Sequence, residues 1–167
     1  ENENLNKSGE LYLDLFENAS DAIFTVDFDG NFTSVNRKTE EITGYSREEL
    51  IGKPVSLILS KPMYELALNK IAEIQNGKIF GPYKIEINTK KGAKTVEITG
   101  RRVKIGERVT GIQATARDIT ARVKMEQELK ETRDFLKTIL GSIDECILVV
   151  NRNHKISMVN KAISGNG

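Results

Sequence analysis

Cysteine is almost absent from this chain, which contains a single one among its 167 residues. One cysteine cannot form an intramolecular disulfide, so we expect a reducing, cytoplasmic setting. Long apolar runs are also missing, because the longest, at residues 146–150, is much too short to span a bilayer. The formal net charge is only +1, which gives no reason to expect contact with nucleic acid or with a membrane surface.

Patterns typical of catalysis are scarce as well. The sequence contains no nucleophile–base pair, no cluster of metal ligands and no phosphate-binding loop. An active site needs such groups at suitable spacing, so we expect a non-catalytic chain without a metal. With 38% hydrophobic and 29% charged residues, its composition is that of an ordinary globular domain.

One passage of the sequence occurs twice. Residues 20–36 read SDAIFTVDFDGNFTSVN and residues 144–160 read DECILVVNRNHKISMVN, aligned without a gap at a separation of 124 residues. A period this long indicates tandem domains rather than a solenoid. Because the chain begins with Glu1 instead of Met and stops soon after the second copy starts, we expect an excised piece. It should contain one complete domain and the opening of another.

Hydrophobic periodicity predicts an α+β domain. Helices are expected over 9–18 (with Leu11, Leu15 and Phe16 on one stripe), 36–43, 46–51 and 62–75. Strands are expected over 22–27, 31–35, 82–89, 95–105 and 109–118. Two strands, several helices and three more strands imply an antiparallel sheet with helices over one face.

After Asp118 the pattern becomes that of a coiled coil. Apolar positions follow one another at alternating steps of four and three residues, with charged residues around them. This heptad spacing predicts one continuous helix of about 20 residues that pairs with a second copy. The seam consists of Met125, Leu129, Thr132, Leu136, Ile139 and Ile143.

Four segments, taken in order, resemble the PAS domain family, and in particular PAS domains of sensor kinases and related regulators. They are FENASDAIFTVDFDGNFTSVNRKTEEITGYSREELIGKP at 16–54, the strand at 83–94, the stretch 111–120, and its last triplet Asp118-Ile119-Thr120, which resembles the DIT motif. The resemblance covers 11–120 and again 136–160. It implies a five-stranded antiparallel sheet in spatial order 2-1-5-4-3, flanked by helices and followed by a long signalling helix.

The resemblance divides the chain into four parts. These are a polar linker remnant at 1–9, a PAS domain at 10–120, a signalling helix at 121–141 and the truncated start of a second PAS domain at 142–167. The implied function is to sense or relay a signal within a homodimer to a downstream effector, with a histidine kinase of a two-component system as the expected parent. Asp118, Ile119 and Thr120 would couple the last strand to the helix, with Asp118 or Thr120 as its N-cap.

The resemblance also implies a ligand pocket between the long helix and the last three strands. Its candidate lining residues are Phe24, Ile71, Ile74, Tyr83, Ile85, Ile98 and Ile112, all of which also fit a plain core. A filled pocket would make the chain a receptor for a small metabolite or apolar ligand. Arg101, Arg102 and Arg117 could alternatively bind an anionic metabolite, although charges on an outer strand face are usually just solvated.

Cofactors are not expected. Haem is usually held by an axial His, Cys or Met, and the complete domain contains neither His nor Cys. The motif of a flavin-reactive Cys is missing, and the chain has no Trp, a common packing partner of flavin. His154 and Cys146 belong to the second copy, where they are interpreted as a turn residue and a small apolar residue. Without its remaining strands, that copy should leave Leu148, Val150 and Ile156 exposed or pair with the edge of another chain.

Overall fold

The computed structural model describes residues 2–142 and 147–159, without the side chains of residues 2–6 and 80. It divides into two compact units, Glu1–Thr120 and Ala121–Gly167. The first unit contains α1 (Asn2–Glu17), β1 (Ala22–Val26), β2 (Phe32–Val35), α2 (Arg37–Thr43), α3 (Arg47–Leu50), a 3-10 turn (Val55–Leu57), α4 (Lys61–Gln75), β3 (Phe80–Thr89), β4 (Gly92–Ile105) and β5 (Arg108–Asp118). The helix α5 (Thr120–Gly141) and the strands β6 (Leu148–Val150) and β7 (Ile156–Val159) follow.

The first unit is built on one antiparallel sheet of five strands. Its spatial order is β2-β1-β5-β4-β3, so the first hairpin and the last three strands meet where β1 pairs with β5. Alternate residues of β1 are buried, because successive side chains of a strand point to opposite faces. The buried face and α4 enclose the core. The predicted α+β class and strand order are confirmed.

Local capping chemistry sets the ends of the short helices. Asn36 caps α2 by accepting the Thr39 amide, and Gly44 ends that helix at a φ of 76°. A left-handed residue at a helix end favours glycine, which has no Cβ to clash. Ser46 and Glu49 form a complete capping box at the start of α3.

The largest difference from the predicted elements is at the N-terminus. α1 begins at Asn2, so residues 2–9, expected as a frayed linker remnant, are helical. Residues 2–8 contain neither glycine nor proline, and nothing in them stops a helix that continues from the predicted one. Leu11 and Leu15 are exposed along this helix, while Phe16 is half-buried and stacks on Tyr12.

In the second unit, α5 is the continuous helix that the heptad pattern predicts, and it ends at Gly141. Ile143 and Cys146 lie outside the described residues. The strands β6 and β7 form an antiparallel hairpin. Its residues Leu148, Val150 and Ile156 are exposed, as predicted.

This hairpin repeats the β1–β2 hairpin residue for residue at the sequence offset of the repeat. Leu148 pairs with Val159 as Phe24 pairs with Val35, and both ladders carry a bulge at the same step. The turns also correspond, because His154 adopts a φ of 58° where Gly30 has a φ of 82°. The repeat in the sequence is therefore also a repeat in backbone geometry.

Candidate functional site

A cavity of about 110 Å³ lies between α4 and the inner face of the sheet. Six of the seven predicted pocket residues contribute to its wall: Phe24, Ile71, Ile74, Ile85, Ile98 and Ile112. The inward period of the strands and the buried stripe of α4 bring them together. The space itself arises from small residues on the central strands, since Ala114 of β5 lies between Gly100 of β4 and Phe24 of β1.

Tyr83, the seventh residue predicted for the pocket, does not line the cavity. Its side chain is 45% exposed, and the Lys70 ammonium lies 5.6 Å from the centre of its ring. Tyr83 lies near the start of β3, which is the edge strand of the sheet. A residue at that edge is only half covered by neighbouring structure, whereas Ile87, further along the strand, is buried.

The polar side chains of the cavity wall already have partners. The Thr39 hydroxyl donates to Asn36 Oδ1 at 2.8 Å, and the Thr43 hydroxyl donates to the Thr39 carbonyl at 2.8 Å. Lys70 pairs with Glu73 at 3.1 Å. A wall of this kind offers a ligand apolar contact rather than hydrogen bonds. Neither His nor Cys is among its lining residues, whereas Met63 is.

The side chain of Asn36 fixes the segments next to this cavity. Its Oδ1 accepts the amides of Ile23 and Thr39 at 2.9 and 3.0 Å, and its Nδ2 donates to the carbonyls of Phe16 and Asp21. Asn36 is fully buried, so these bonds replace all of its contact with water. One amide thus connects the end of α1, β1 and α2.

The predicted coupling residues form a hydrogen-bonded joint at the end of β5, within the first unit. The buried Ile119 donates its amide to the Thr95 carbonyl at 2.9 Å, and the Thr95 amide donates to the Thr120 hydroxyl at 3.0 Å. Asp118 Oδ1 accepts the Thr120 amide at 3.0 Å, which satisfies a donor in the first turn of the helix. Its Oδ2 contacts the Lys94 ammonium at 2.8 Å.

These contacts determine the charge state of the joint. Partial burial alone would raise the pKa of Asp118, but hydrogen bonds from Lys94 and Thr120, with the charge of Lys94, lower it to about 2. Asp118 is therefore ionised at neutral pH and meets the positive end of the α5 dipole. Sequence reasoning missed Lys94 and Thr95. No local pattern announces them, because their place beside Asp118 depends on the register of β4 against β5.

A family model of the PAS fold matches residues 10–119, which include the whole sheet, the cavity and most of the joint. The chain belongs to the PAS family. In the described ranges of this PAS protein no helix is long and apolar enough to cross a membrane.

Solved PAS domains share this fold. A PAS domain from Colwellia psychrerythraea is 22% identical, with a TM-score of 0.62 over 68% of this chain and 98% of its own. A domain of the sensory box sensor histidine kinase/response regulator from Geobacter sulfurreducens is 28% identical, with a TM-score of 0.59 over 71% of this chain and all of its own. The PAS domain of the Cronobacter turicensis quorum-sensing receptor RpfR, solved in complex with BDSF, is 28% identical, with a TM-score of 0.50 over 61% of this chain and 96% of its own.

A curated relative gives a shorter match. The signal transduction histidine-protein kinase AtoS of Escherichia coli is 38% identical over 50 residues, which are 30% of this chain. The chain spans only 8% of the length of that kinase. The match therefore concerns a segment, and the activity of a whole kinase does not follow from it.

Two of the three arginines considered for an anionic metabolite, Arg101 and Arg117, are engaged within the PAS domain. Arg101 donates to Gln113 Oε1 from two of its nitrogens. Arg117 forms a two-point ion pair with Asp21, which raises the pKa of Arg117 and lowers that of Asp21. Both contacts join side chains on the outer face of the sheet.

The predicted seam of α5 is a row of exposed side chains. Met125, Leu129, Leu136 and Ile139 are all exposed, and Leu129 retains 72% of its accessible surface. Thr132 lies in the middle of the row and is exposed as well. An apolar row of this kind on a helix without buried residues is typical of a helix that pairs with another one.

Proposed function

We propose that this PAS domain is a sensory relay module of a multidomain signalling protein. Its signal leaves through α5 towards an effector downstream in the same polypeptide. The observation that carries this proposal is the joint of Asp118, Ile119 and Thr120 with Lys94 and Thr95. It ties the first turn of a long exposed helix to the sheet by several hydrogen bonds.

The strand β5 supplies the path from the core to the joint. Ala116 contributes to the cavity wall and lies two residues before Asp118 on the same strand. Ala116 pairs with Ile98, and Asp118 pairs with Val96. Because of this pairing, β4 and β5 move together at this point. A change of packing in the cavity would therefore displace the residues that hold Thr120, and α5 would rotate or shift its register.

We propose a sensor histidine kinase as the parent protein, acting as a cytoplasmic homodimer. The matches with AtoS and with the Geobacter sulfurreducens sensor kinase domain support this choice. The hairpin of β6 and β7, which repeats the register of β1 and β2, supports a second PAS domain as the next element of the relay.

A series of fusions tests the relay. Residues 1–141 are joined to the dimerisation and catalytic core of a histidine kinase, and one to seven residues are inserted at the junction. If α5 transmits rotation, autophosphorylation should rise and fall with the heptad period of about seven residues. The variant Thr120→Val, which removes the hydroxyl bonded to Thr95, should shift the basal activity. An activity that is independent of insert length would contradict the relay.

A second candidate function is supported by the cavity. Its apolar wall and the likeness to RpfR, whose PAS domain was solved with BDSF, favour a receptor for a small apolar ligand. A cavity of roughly 150 Å³ can hold benzene, so this one suits a molecule of few heavy atoms unless the wall expands. Native mass spectrometry and an absorption spectrum of freshly purified protein distinguish the two functions. Extra mass or a visible band favours the receptor, and a dimer with neither favours the relay without ligand.

A further inference from the structure

We propose that the hairpin of β4 and β5 carries a docking surface for an anionic lipid membrane. The surface consists of the end of this hairpin, residues 101–111, together with Lys78 and Ile79. The inference goes beyond the relay function and does not depend on it. It concerns where the domain is held, whereas the relay concerns what leaves through α5.

The end of the hairpin extends beyond the neighbouring strands of the sheet. β1 pairs with β5 only as far as Ile112, and β3 pairs with β4 only as far as Gly100. Within the described residues, the parts of β4 and β5 beyond these points pair only with each other. Residues 101–111 therefore form a two-stranded arm that projects from the sheet, which we call the basic ribbon.

Positive charge is concentrated on the basic ribbon. It contains one acidic residue, Glu107, and four basic ones, Arg101, Arg102, Lys104 and Arg108. The last three of these are exposed, and the ion pairs of the described residues do not involve them. Cations that no carboxylate of the domain neutralises are available to an external anionic surface.

The turn after α4 extends this charged surface. A Cβ on Gly77 would lie 3.5 Å from a guanidinium nitrogen of Arg102, so Arg102 lies against this turn. Lys78 and Ile79 follow directly in the chain, and both are exposed. The basic ribbon and the turn together contain five basic residues and one acidic residue.

The net charge of +1 conceals a separation of charge within the domain. Residues 1–50 contain twelve acidic and four basic residues, whereas residues 51–117 contain five acidic and thirteen basic ones. The first set includes β1 and β2, and the second includes β5, β4 and β3, which form the other side of the sheet. An anionic surface would therefore attract the side that carries the basic ribbon and repel the acidic side.

Two isoleucines favour a lipid surface over an acidic protein. Ile79 is 87% exposed, and Ile105, beside the turn of the hairpin, is 72% exposed. Because strand side chains alternate, Arg102 and Lys104 lie on one face of the basic ribbon. Ile105 and its partner Arg108 lie on the other. A tip with cations on both faces and an apolar end suits the headgroup layer, where water still satisfies the free edges of the ribbon.

Co-sedimentation of the whole chain with vesicles tests this contact. Phosphatidylcholine vesicles with about 30% phosphatidylglycerol should bind the chain at low salt and release it as salt rises, whereas pure phosphatidylcholine should bind little. Arg102→Gln and Lys104→Gln should each weaken the binding by about fivefold, because each removes one cation near the surface. Glu107→Gln removes the acid of the ribbon and should strengthen the binding.

Lys91→Gln is the matched control. It removes one exposed positive charge next to the opposite end of β4, so it should leave vesicle binding unchanged. Thermal unfolding of each variant checks that its fold is retained. Equal losses for Arg102→Gln and Lys91→Gln would overturn the inference, because they would show attraction by the overall charge. Failure of the original chain to bind the anionic vesicles at low salt would also overturn it.

Tryptophan fluorescence tests whether the tip of the ribbon enters the lipid. The chain contains no tryptophan, so Ile105→Trp introduces a single probe. Its emission should shift to shorter wavelength when anionic vesicles are added, because the indole leaves water. Tyr12→Trp, at an exposed position of α1, is the control and should not shift. A bound chain in which the Ile105→Trp emission does not shift would contradict insertion of the tip.

An acidic protein is the competing partner for this surface. If the chain ignores vesicles but is retained by immobilised polyglutamate, and Arg102→Gln weakens that retention, the partner is an acidic protein and the membrane is rejected. These outcomes are separate from signalling. Vesicle binding combined with a fused kinase that ignores helix phase would retain the docking surface and reject the relay.

Discussion

One oxygen of the Asp118 carboxylate accepts both the backbone amide of Thr120, at 3.0 Å, and its hydroxyl, at 2.6 Å. The other oxygen contacts Lys94. The carboxylate of the last strand residue thus binds both polar groups of Thr120, next to the buried side chain of Ile119. Such a polar connection holds a definite geometry and can be altered by protonation.

Asp118 should therefore contribute pH-dependent stability. Its pKa is about 2 in the folded domain and 3.8 ordinarily, so the folded state favours the charged form. The contribution is complete above about pH 4 and is lost as the pH falls towards 2, and it amounts to at most about 2 kcal/mol. Asp118→Asn should lower the free energy of unfolding at pH 7 and bring it closer to the original protein near pH 2.

Urea denaturation between pH 2 and pH 7 measures this difference. Asp29→Asn is the matched control, because the exposed Asp29 carboxylate accepts no hydrogen bond from the described residues. The free energy of unfolding of Asp118→Asn is compared with that of the original protein at each pH. A difference that does not change with pH would show that the carboxylate stabilises the joint by its shape and not by its charge.

Asn36 should be the most sensitive polar residue of the core. Asn36→Ala leaves the Ile23 amide and the Phe16 and Asp21 carbonyls without their buried partner, and it removes a helix cap. We expect a loss of about 3 kcal/mol in the free energy of unfolding. Asn36→Asp should also destabilise, because a carboxylate would face two carbonyl oxygens. Asn88→Ala, at an exposed position, is the control in the same denaturant titration. A comparable loss in its free energy of unfolding would contradict the special role of Asn36.

The first hairpin could be predicted from the sequence, because it depends on neighbours along the chain, whereas the pocket residues were implied by the resemblance. Phe24 and Ile112 point inward by alternation alone, and Gly44 ends a helix by its own flexibility. The resemblance supplied the strand order. By contrast, the exposure of Tyr83 follows from its place near the start of the edge strand, which alternation cannot distinguish from the buried position of Ile87 further along. The contact of Lys94 with Asp118 needs the exact register between two strands, which no local pattern encodes.

The repeat predicts an effect of His154 on the second hairpin. His154 has a φ of 58° at the place where Gly30 has 82°, and this region costs a residue with a Cβ about 1–2 kcal/mol. His154→Gly should therefore stabilise the β6–β7 hairpin by about 0.5–1 kcal/mol, after allowance for the flexibility of glycine. Amide exchange of the hairpin, followed by NMR, should slow. Asn153→Gly, at a position without positive φ, should make exchange faster. Equal effects of the two substitutions would show that the backbone of His154 is not strained.

Filling the cavity separates empty core space from a binding site. Ala114→Val adds two carbons opposite Gly100, where the register provides no competing side chain. Burial of these carbons should raise the free energy of unfolding by about 1 kcal/mol, and it should also displace a small apolar guest. Thermal unfolding with and without benzene measures both effects: the original chain should gain stability with benzene, and Ala114→Val should gain less. Thr115→Val, on the outer face of the same strand, should respond to benzene as the original chain does. If Ala114→Val destabilises the domain and leaves its benzene response unchanged, the wall is already close-packed and the receptor function loses its structural support.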